Sequence, residues 1–405
     1  MPVVRLADLI DQPAATEFLR GVIARGRFAN AYLFHGPPGV GKGTAALAFA
    51  RALLCEGGGR ARPAELSLLD ALEPAEAAPA GPRDGACGTC AACLKSGTLQ
   101  HPDLKFLFPV SGEEKVLDDV VVETLAAVRE DPLFVFTYDK AASIRLSITR
   151  ELLRELAFQP FEAARRVVVV RDADRMREDQ YSALLKSVEE PGFTTVWVLT
   201  SSRPHRLPAT IRSRCQRVRF APLAEASVCA FLERRAGVAP AEARLLAALS
   251  SGSLSRALAL RDSETEPRDL RDQALALLVP ARGGDHAGLW KASQAFMKFG
   301  RTGREPVRRM IEFHELWLRD LLRIRYGAPR EMLANRDRED DLRREAGAVD
   351  ATEIRRRLMV LEEALRSIEG NVAGDVTLFS TMARVAGARV GEGEWPPHPA
   401  GRSDY

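Results

Sequence analysis

Apolar and polar positions alternate in two different ways along this chain, and the change falls near residue 222. Within 14–25, Phe18, Leu19, Val22 and Ile23 recur at helical spacing and lead into the apolar run AYLFHG at 31–36, a helix followed by a buried strand. The string GPPGVGKGT at 36–44 then feeds the alanine-rich AALAFARALLC, so a glycine-rich turn opens directly into a helix. A helix over 148–158 precedes ARRVVVVRDADRM, where four successive valines at 167–170 predict a strand covered on both faces. Residues 195–200 predict a second such strand, and RVRF at 217–220 a last one before an exit linker at Pro222. Strands alternating with helices predict an α/β domain over 1–222 built on a parallel sheet.

From Leu223 onward the strand signals stop and amphipathic helices recur, for example over 307–326 and 353–368. The string SETEPRD at 263–269 and the pair Gly283–Gly284 divide this half into a small helical domain over 223–278 and a larger all-α domain over 279–390. Residues 56–86 are rich in Gly, Ala, Pro and Glu, with a brief helical pattern at 66–72, and predict a flexible surface excursion. Residues 111–146 show no clean periodicity and read as an insertion, and 391–405 read as a disordered tail.

Composition narrows the class. A chain of 405 residues exceeds one ordinary core, and 46% hydrophobic with 28% charged residues is the balance of a globular protein. The 58 basic residues against 55 acidic ones are too even to imply nucleic-acid binding by charge alone, so any DNA contact must be local or shared. The opening MPVVRLADLIDQ has no secretory pattern, and no apolar run is long enough for a membrane span, which predicts a cytoplasmic protein with no membrane partner. In a reducing cytosol six cysteines point to metal rather than disulfides.

Candidate chemistry begins in GPPGVGKGT. Gly36, Gly39 and Gly41 let backbone N–H groups converge on phosphate oxygens, and the Lys42 ammonium can neutralise the terminal phosphates of ATP. The usual Ser or Thr that holds Mg²⁺ directly after the lysine is replaced by Gly43, and Thr44 can stand in for it. An ordinary glycine-rich turn is the alternative; a strand before, a helix after and a lysine in register argue against it. Asp172, just past the valine strand, is the candidate metal-side carboxylate. The next position, where ATPases of this sort keep a water-orienting glutamate, is Ala173, and Asp174 would sit beyond the strand end. Nucleotide binding is therefore expected, and hydrolysis by this chain is not.

Cys87, Cys90 and Cys93 supply three thiolates with two-residue spacers, and Cys55 can complete a tetrahedral set for Zn²⁺. Four protein ligands leave no open position, so the metal would be structural, in a module over 55–103. Free reduced thiols are the alternative, and His101 is a substitute ligand should the long separation exclude Cys55. Cys215 and Cys229 read as isolated small hydrophobes without chemistry.

Residues 182–220, SALLKSVEEPGFTTVWVLTSSRPHRLPATIRSRCQRVRF, resemble the AAA+ ATPase domain of bacterial clamp-loader subunits, above all in LLKSVEEP and SRC. With the P-loop, the cysteine module and the HPD string at 101–103, the resemblance covers most of 1–260. It implies an AAA+ sheet domain with an inserted zinc module, then a helical lid and an all-α collar, which LWLRDLL at 316–322 resembles. It also implies that Arg214 is an arginine finger acting in trans on a neighbour's γ-phosphate, that Ser201 lies at the polar sensor position, and that Arg256 lies at the second sensor. The family contains a motor subunit, gamma or tau, and a delta-prime subunit that often has a degenerate site yet keeps its SRC arginine. Gly43 and Ala173 depart from the motor pattern, so the delta-prime side fits better.

The resemblance then implies a stator in the heteropentameric clamp loader of DNA polymerase III, an accessory polymerase subunit at the nucleoid-associated replisome. Its partners would be gamma/tau, delta, the sliding clamp and, through the assembled complex, primer-template DNA. Alternatives are an active clamp-loader ATPase of gamma/tau type, an adaptor that binds no nucleotide, and a P-loop nucleotide kinase. GKGT suits the kinase, but the helical half and the cysteine module do not.

Overall fold

The run of valines at 167–170 lies inside a parallel sheet of five strands. They are β1 (Ala31–His35), β2 (Leu104–Leu107), β3 (Arg166–Val170), β4 (Thr195–Ser201) and β5 (Gln216–Arg219). In space their order is β2-β3-β4-β1-β5, every neighbour parallel, with Leu33 opposite Leu199, Val168 opposite Trp197 and Leu104 opposite Val167. The computed structural model describes residues 4–57, 85–110, 117–130, 134–136, 142–144, 146–177, 180–181, 194–263, 265–299, 304–368 and 373–387. The helical pattern at 66–72, LLKSVEEP at 184–191 and the tail at 391–405 lie outside them.

Helices follow in chain order: α1 (Pro13–Arg25), α2 (Lys42–Leu54), α3 (Ala91–Gly97), α4 (Leu117–Glu130), α5 (Leu146–Leu156), α6 (Ala209–Arg214), α7 (Glu225–Ala236), α8 (Pro240–Leu249) and α9 (Leu254–Arg261). On one face of the sheet Tyr32, Phe34, Val167, Val169 and Val198 bury against Leu19 and Val22 of α1 and Ala45, Phe49 and Leu53 of α2. On the other, Leu33, Val168, Val170, Trp197 and Leu199 bury with Leu152 of α5 and Ile211 of α6. Two covered faces explain why these strands read as unbroken apolar runs rather than as alternation.

Two elements depart from the sequence reading. β2 carries Lys105 in four residues and pairs only with β3, so it is a short edge strand too weak to stand out as a run. Within 111–146, read as aperiodic, α4 occupies fourteen residues.

The chain divides into two compact units, and the main boundary falls between Ala259 and Leu260. Residues 223–259 therefore belong with the sheet. The Leu223 N–H donates to Gly252 O at 3.0 Å, Leu254 N–H to Gly39 O at 2.9 Å, and Ala224 N–H to the Asp11 carboxylate at 2.6 Å.

The second unit holds α10 (Pro267–Ala276), α11 (Leu278–Arg282), α12 (His286–Phe299), α13 (Arg304–Arg325), α14 (Glu339–Ala348), α15 (Ala351–Ile368) and α16 (Gly374–Val385), with no strand among the described residues. Val307, Met310, Ile311, Leu318 and Leu321 form the buried stripe of α13, which packs against α14 and α15. Two buried polar groups here are held by several bonds each. Asp320 accepts N–H bonds from Ala334 and Asn335 at 2.8–3.1 Å, and Arg271 grips Asp337 with two bonds of 2.8 Å. No described helix is long and apolar enough to cross a membrane.

Candidate functional site

The chain leaves β1 between β4 and β5, and there the Gly36 N–H donates to Ser201 O at 3.3 Å. The turn that follows needs glycine twice. Gly39 (φ +73°) and Gly41 (φ +93°) lie in the left-handed region, and Ser253 Oγ occupies the space a side chain on Gly39 would need. Gly41 caps α2, so the N–H groups of its first turn, which have no acceptor in the helix, open into the loop as an anion cradle.

Lys42 is buried at the start of α2, and its Nζ donates to Gly36 O at 2.9 Å, Pro37 O at 2.5 Å and Ser202 Oγ at 3.0 Å. Burial pushes its pKa down to about 8, against the opposing attraction of Asp172. Thr44 is half-buried one residue beyond Gly43.

At the strand end, Asp172 adopts φ +47°, donates its N–H to Thr200 Oγ1 at 2.9 Å, and holds its carboxylate 3.4 Å from Arg171 Nε. The side chain that reaches Gly43 in the first turn of α2 is that of Arg171. Ala173 is fully buried. Asp174 is buried too: it accepts from Arg203 Nε at 2.9 Å, Ser202 N–H at 3.2 Å and the Ser201 hydroxyl. Burial pushes that carboxyl up, but Arg203, Ser201 and Ser202 together bring it below the usual carboxylate range. Both oxygens of Asp174 are engaged, which leaves it no access to an attacking water.

Ser201 also accepts the Arg203 N–H at 3.0 Å, and it is Ser202 that touches Lys42. Arg256 is half-buried in α9, its N–H donating to Ser253 Oγ at 3.3 Å, in the segment bonded to Gly39. Arg214 ends α6 with an exposed side chain whose Nη1 donates to Thr210 O at 3.1 Å. Arg171, Thr200 and Ser202 were not singled out from the sequence. Motif spacing does not reveal which of two adjacent residues at a strand end turns toward the loop.

The four cysteines converge despite the long stretch between Cys55 and Cys87. Their sulfurs lie within 4.8 Å of one another, Cys55 at the end of α2 and the others around the start of α3. The N–H groups of Cys87, Cys90 and Cys93 donate to the sulfurs of Cys55, Cys87 and Cys90 at 3.4, 3.3 and 3.4 Å, while burial pushes the Cys55 and Cys93 thiols up. The N–H groups of Thr89 and Cys90 hold Cys87 down to about 6. Four sulfurs at the zinc–thiolate bond length would stand about 3.8 Å apart in a tetrahedron. Cys87 and Cys93 are 3.9 Å apart and all four sulfurs lie within 4.8 Å, a donor set that could hold a metal ion.

His101 stands outside that cluster. It accepts the Asp103 N–H at 3.1 Å, while Asp103 accepts the N–H groups of Phe161, Glu162 and Ala163 at 2.7, 2.9 and 2.9 Å. The HPD string is therefore a brace for the loop entering β3. Cys215 is buried, and half-buried Cys229 donates to Glu233 at 3.4 Å.

Residues 11–67 and 64–224 match the family described as DNA polymerase III, delta subunit. The chain is 25% identical over 361 residues to the DNA polymerase III subunit delta' of Bacillus subtilis, covering 89% of this chain and 92% of that protein. It is 35% identical over 231 residues to subunit delta' of Pseudomonas aeruginosa, covering 56% and 55%. Against subunit tau of Bacillus subtilis it is 22% identical over 263 residues, 64% of this chain but only 37% of that longer protein.

Proposed function

The chain belongs to the DNA polymerase III, delta subunit family, and on that premise we propose that it is a delta-prime-type stator of the bacterial clamp loader, an AAA+ subunit acting in DNA replication. It binds nucleotide in its cradle, hydrolyses it weakly or not at all, and presents Arg214 to the γ-phosphate held by a neighbouring motor subunit.

The observation that carries this reading is the capture of Asp174 by Arg203 beside a buried Ala173. A positioned general base contributes roughly 10²- to 10⁴-fold to such a step; among the described residues at this strand end Ala173 has no carboxylate, Asp174 is bonded to Arg203, and Asp172 lies 3.4 Å from the Arg171 guanidinium. Arg214 acts elsewhere: its guanidinium is exposed at the end of α6 and always charged, suited to a phosphate on another chain.

The partners in this reading are gamma/tau, delta, the sliding clamp and, through the assembly, the phosphate backbone of primer-template DNA. The protein works in the cytoplasm, at the nucleoid-associated replisome. Residues 223–259, which belong to the sheet unit, serve as the lid, with Arg256 and Ser201 as sensors of the nucleotide, and the helices from α10 on as the collar that joins subunits. Cys55, Cys87, Cys90 and Cys93 hold structural Zn²⁺, which ties the end of α2 to α3.

The test is ATP hydrolysis by the reconstituted loader with DNA present. Arg214→Ala should depress turnover, while Lys42→Ala should change it little. A second reading, an active ATPase of gamma/tau type, draws on the retained phosphate cradle; equal and large losses from both variants, or robust turnover by the isolated chain, would establish it instead.

A further inference from the structure

We propose that the phosphate cradle takes a nucleoside di- or triphosphate without a divalent cation, the Arg171 guanidinium standing where a P-loop protein keeps its Mg²⁺. This rests on the reading above that the cradle still binds nucleotide.

A P-loop holds its metal from two sides, by a hydroxyl directly after the lysine and by a carboxylate at the end of the adjoining strand. Here both are replaced. Position 43 is glycine. Along β3, Val167 and Val169 face α2, and the ladder continues through the Arg171 N–H, which donates to Leu107 O at 2.8 Å. Alternation therefore turns Arg171 toward α2, where a metal-binding carboxylate would stand.

The two replacements fit each other. A Cβ on Gly43 would press into Arg171 Nη1 and lie 3.3 Å from its Cζ, so a serine or threonine here would make the guanidinium end of Arg171 shift. The guanidinium is held in place: its Cζ lies 3.8 Å above the Phe136 ring, and Phe136 makes edge contacts with Phe106, Phe108 and Phe134. Phe136 comes from the inserted stretch 111–146, which thereby acquires a part in shaping the cradle.

Mg²⁺ does not fit this arrangement. It would meet a fixed guanidinium beside the Lys42 ammonium, with Asp172 already 3.4 Å from Arg171 and Asp174 bonded to Arg203. A polyphosphate fits well. Lys42 and Arg171 repel one another while no anion lies between them, and the guanidinium offers a planar set of donors in place of the ion.

The experiment is equilibrium titration of the full chain with fluorescent ADP and ATP analogues, in excess Mg²⁺ and in excess EDTA. The affinity should be the same in both. Arg171→Ala should weaken it about 10- to 100-fold, the loss of a charge-assisted contact. The double variant Gly43→Thr with Arg171→Asp should make binding Mg²⁺-dependent and should bind Mn²⁺ detectably by electron paramagnetic resonance. The wild-type comparison needs no variant to fold. Nucleotide binding by the wild type only when Mg²⁺ is present overturns this inference alone; no binding in either buffer overturns it together with the reading it rests on.

Discussion

Asp174 and Arg203 form a buried pair, with Arg203 Nε 2.9 Å from Asp174 Oδ2 and only 2% of the acidic side chain exposed. The contact joins the turn after β3 to the turn after β4, so this carboxylate serves the fold. Asp174→Ala leaves a largely buried guanidinium without its anion and should cost about 3–5 kcal/mol in urea unfolding. Because the folded carboxyl is held below its unfolded value, its contribution is present above the unfolded pKa and is lost as pH falls through the folded one. A loss near zero at neutral pH would refute this assignment.

If the four cysteines hold zinc as proposed, chelation should unfold the start of α3 and loosen the end of α2, because the thiolates then lose the ion that would join them. Purified protein should carry zinc by elemental analysis, and removing it should lower Tm. Cys93→Ser should mimic chelation, while Cys229→Ser, outside the cluster, should not.

His314 is wholly buried, its Nε2 2.9 Å from Ala274 O, and burial lowers its pKa from 6.5 to about 4. Between those values the unfolded chain binds the proton and the folded one does not. Stability of the helical unit should therefore decline as pH falls from 6.5 toward 4, by on the order of 3 kcal/mol. His314→Gln should flatten that decline in denaturant melts taken across the window.

Asp103→Ala removes the acceptor for three successive N–H groups at the entry to β3. Amide exchange of Phe161, Glu162 and Ala163 should speed up by an order of magnitude or more, since a hydrogen bond to a charged group contributes about 1.5–3 kcal/mol. Unchanged exchange at those positions would mean that the carboxylate is not the brace.

The sequence alone determined the parallel α/β sheet and the helical second half. Val167–Val170 and Thr195–Thr200 could only be doubly covered strands, and Gly39, Gly41 and Lys42 could be read as a phosphate turn because local backbone geometry and residue type are written position by position. The cysteine spacing likewise announced that Cys87, Cys90 and Cys93 lie together. Tertiary structure decided what short-range pattern cannot carry. That Cys55 joins Cys87 depends on where α2 ends relative to α3, and that β2 exists depends on β3 lying beside it. Which residue of Arg171, Asp172 and Asp174 faces the cradle depends on strand alternation and a left-handed turn, each of which moves a side chain to the opposite face within one residue.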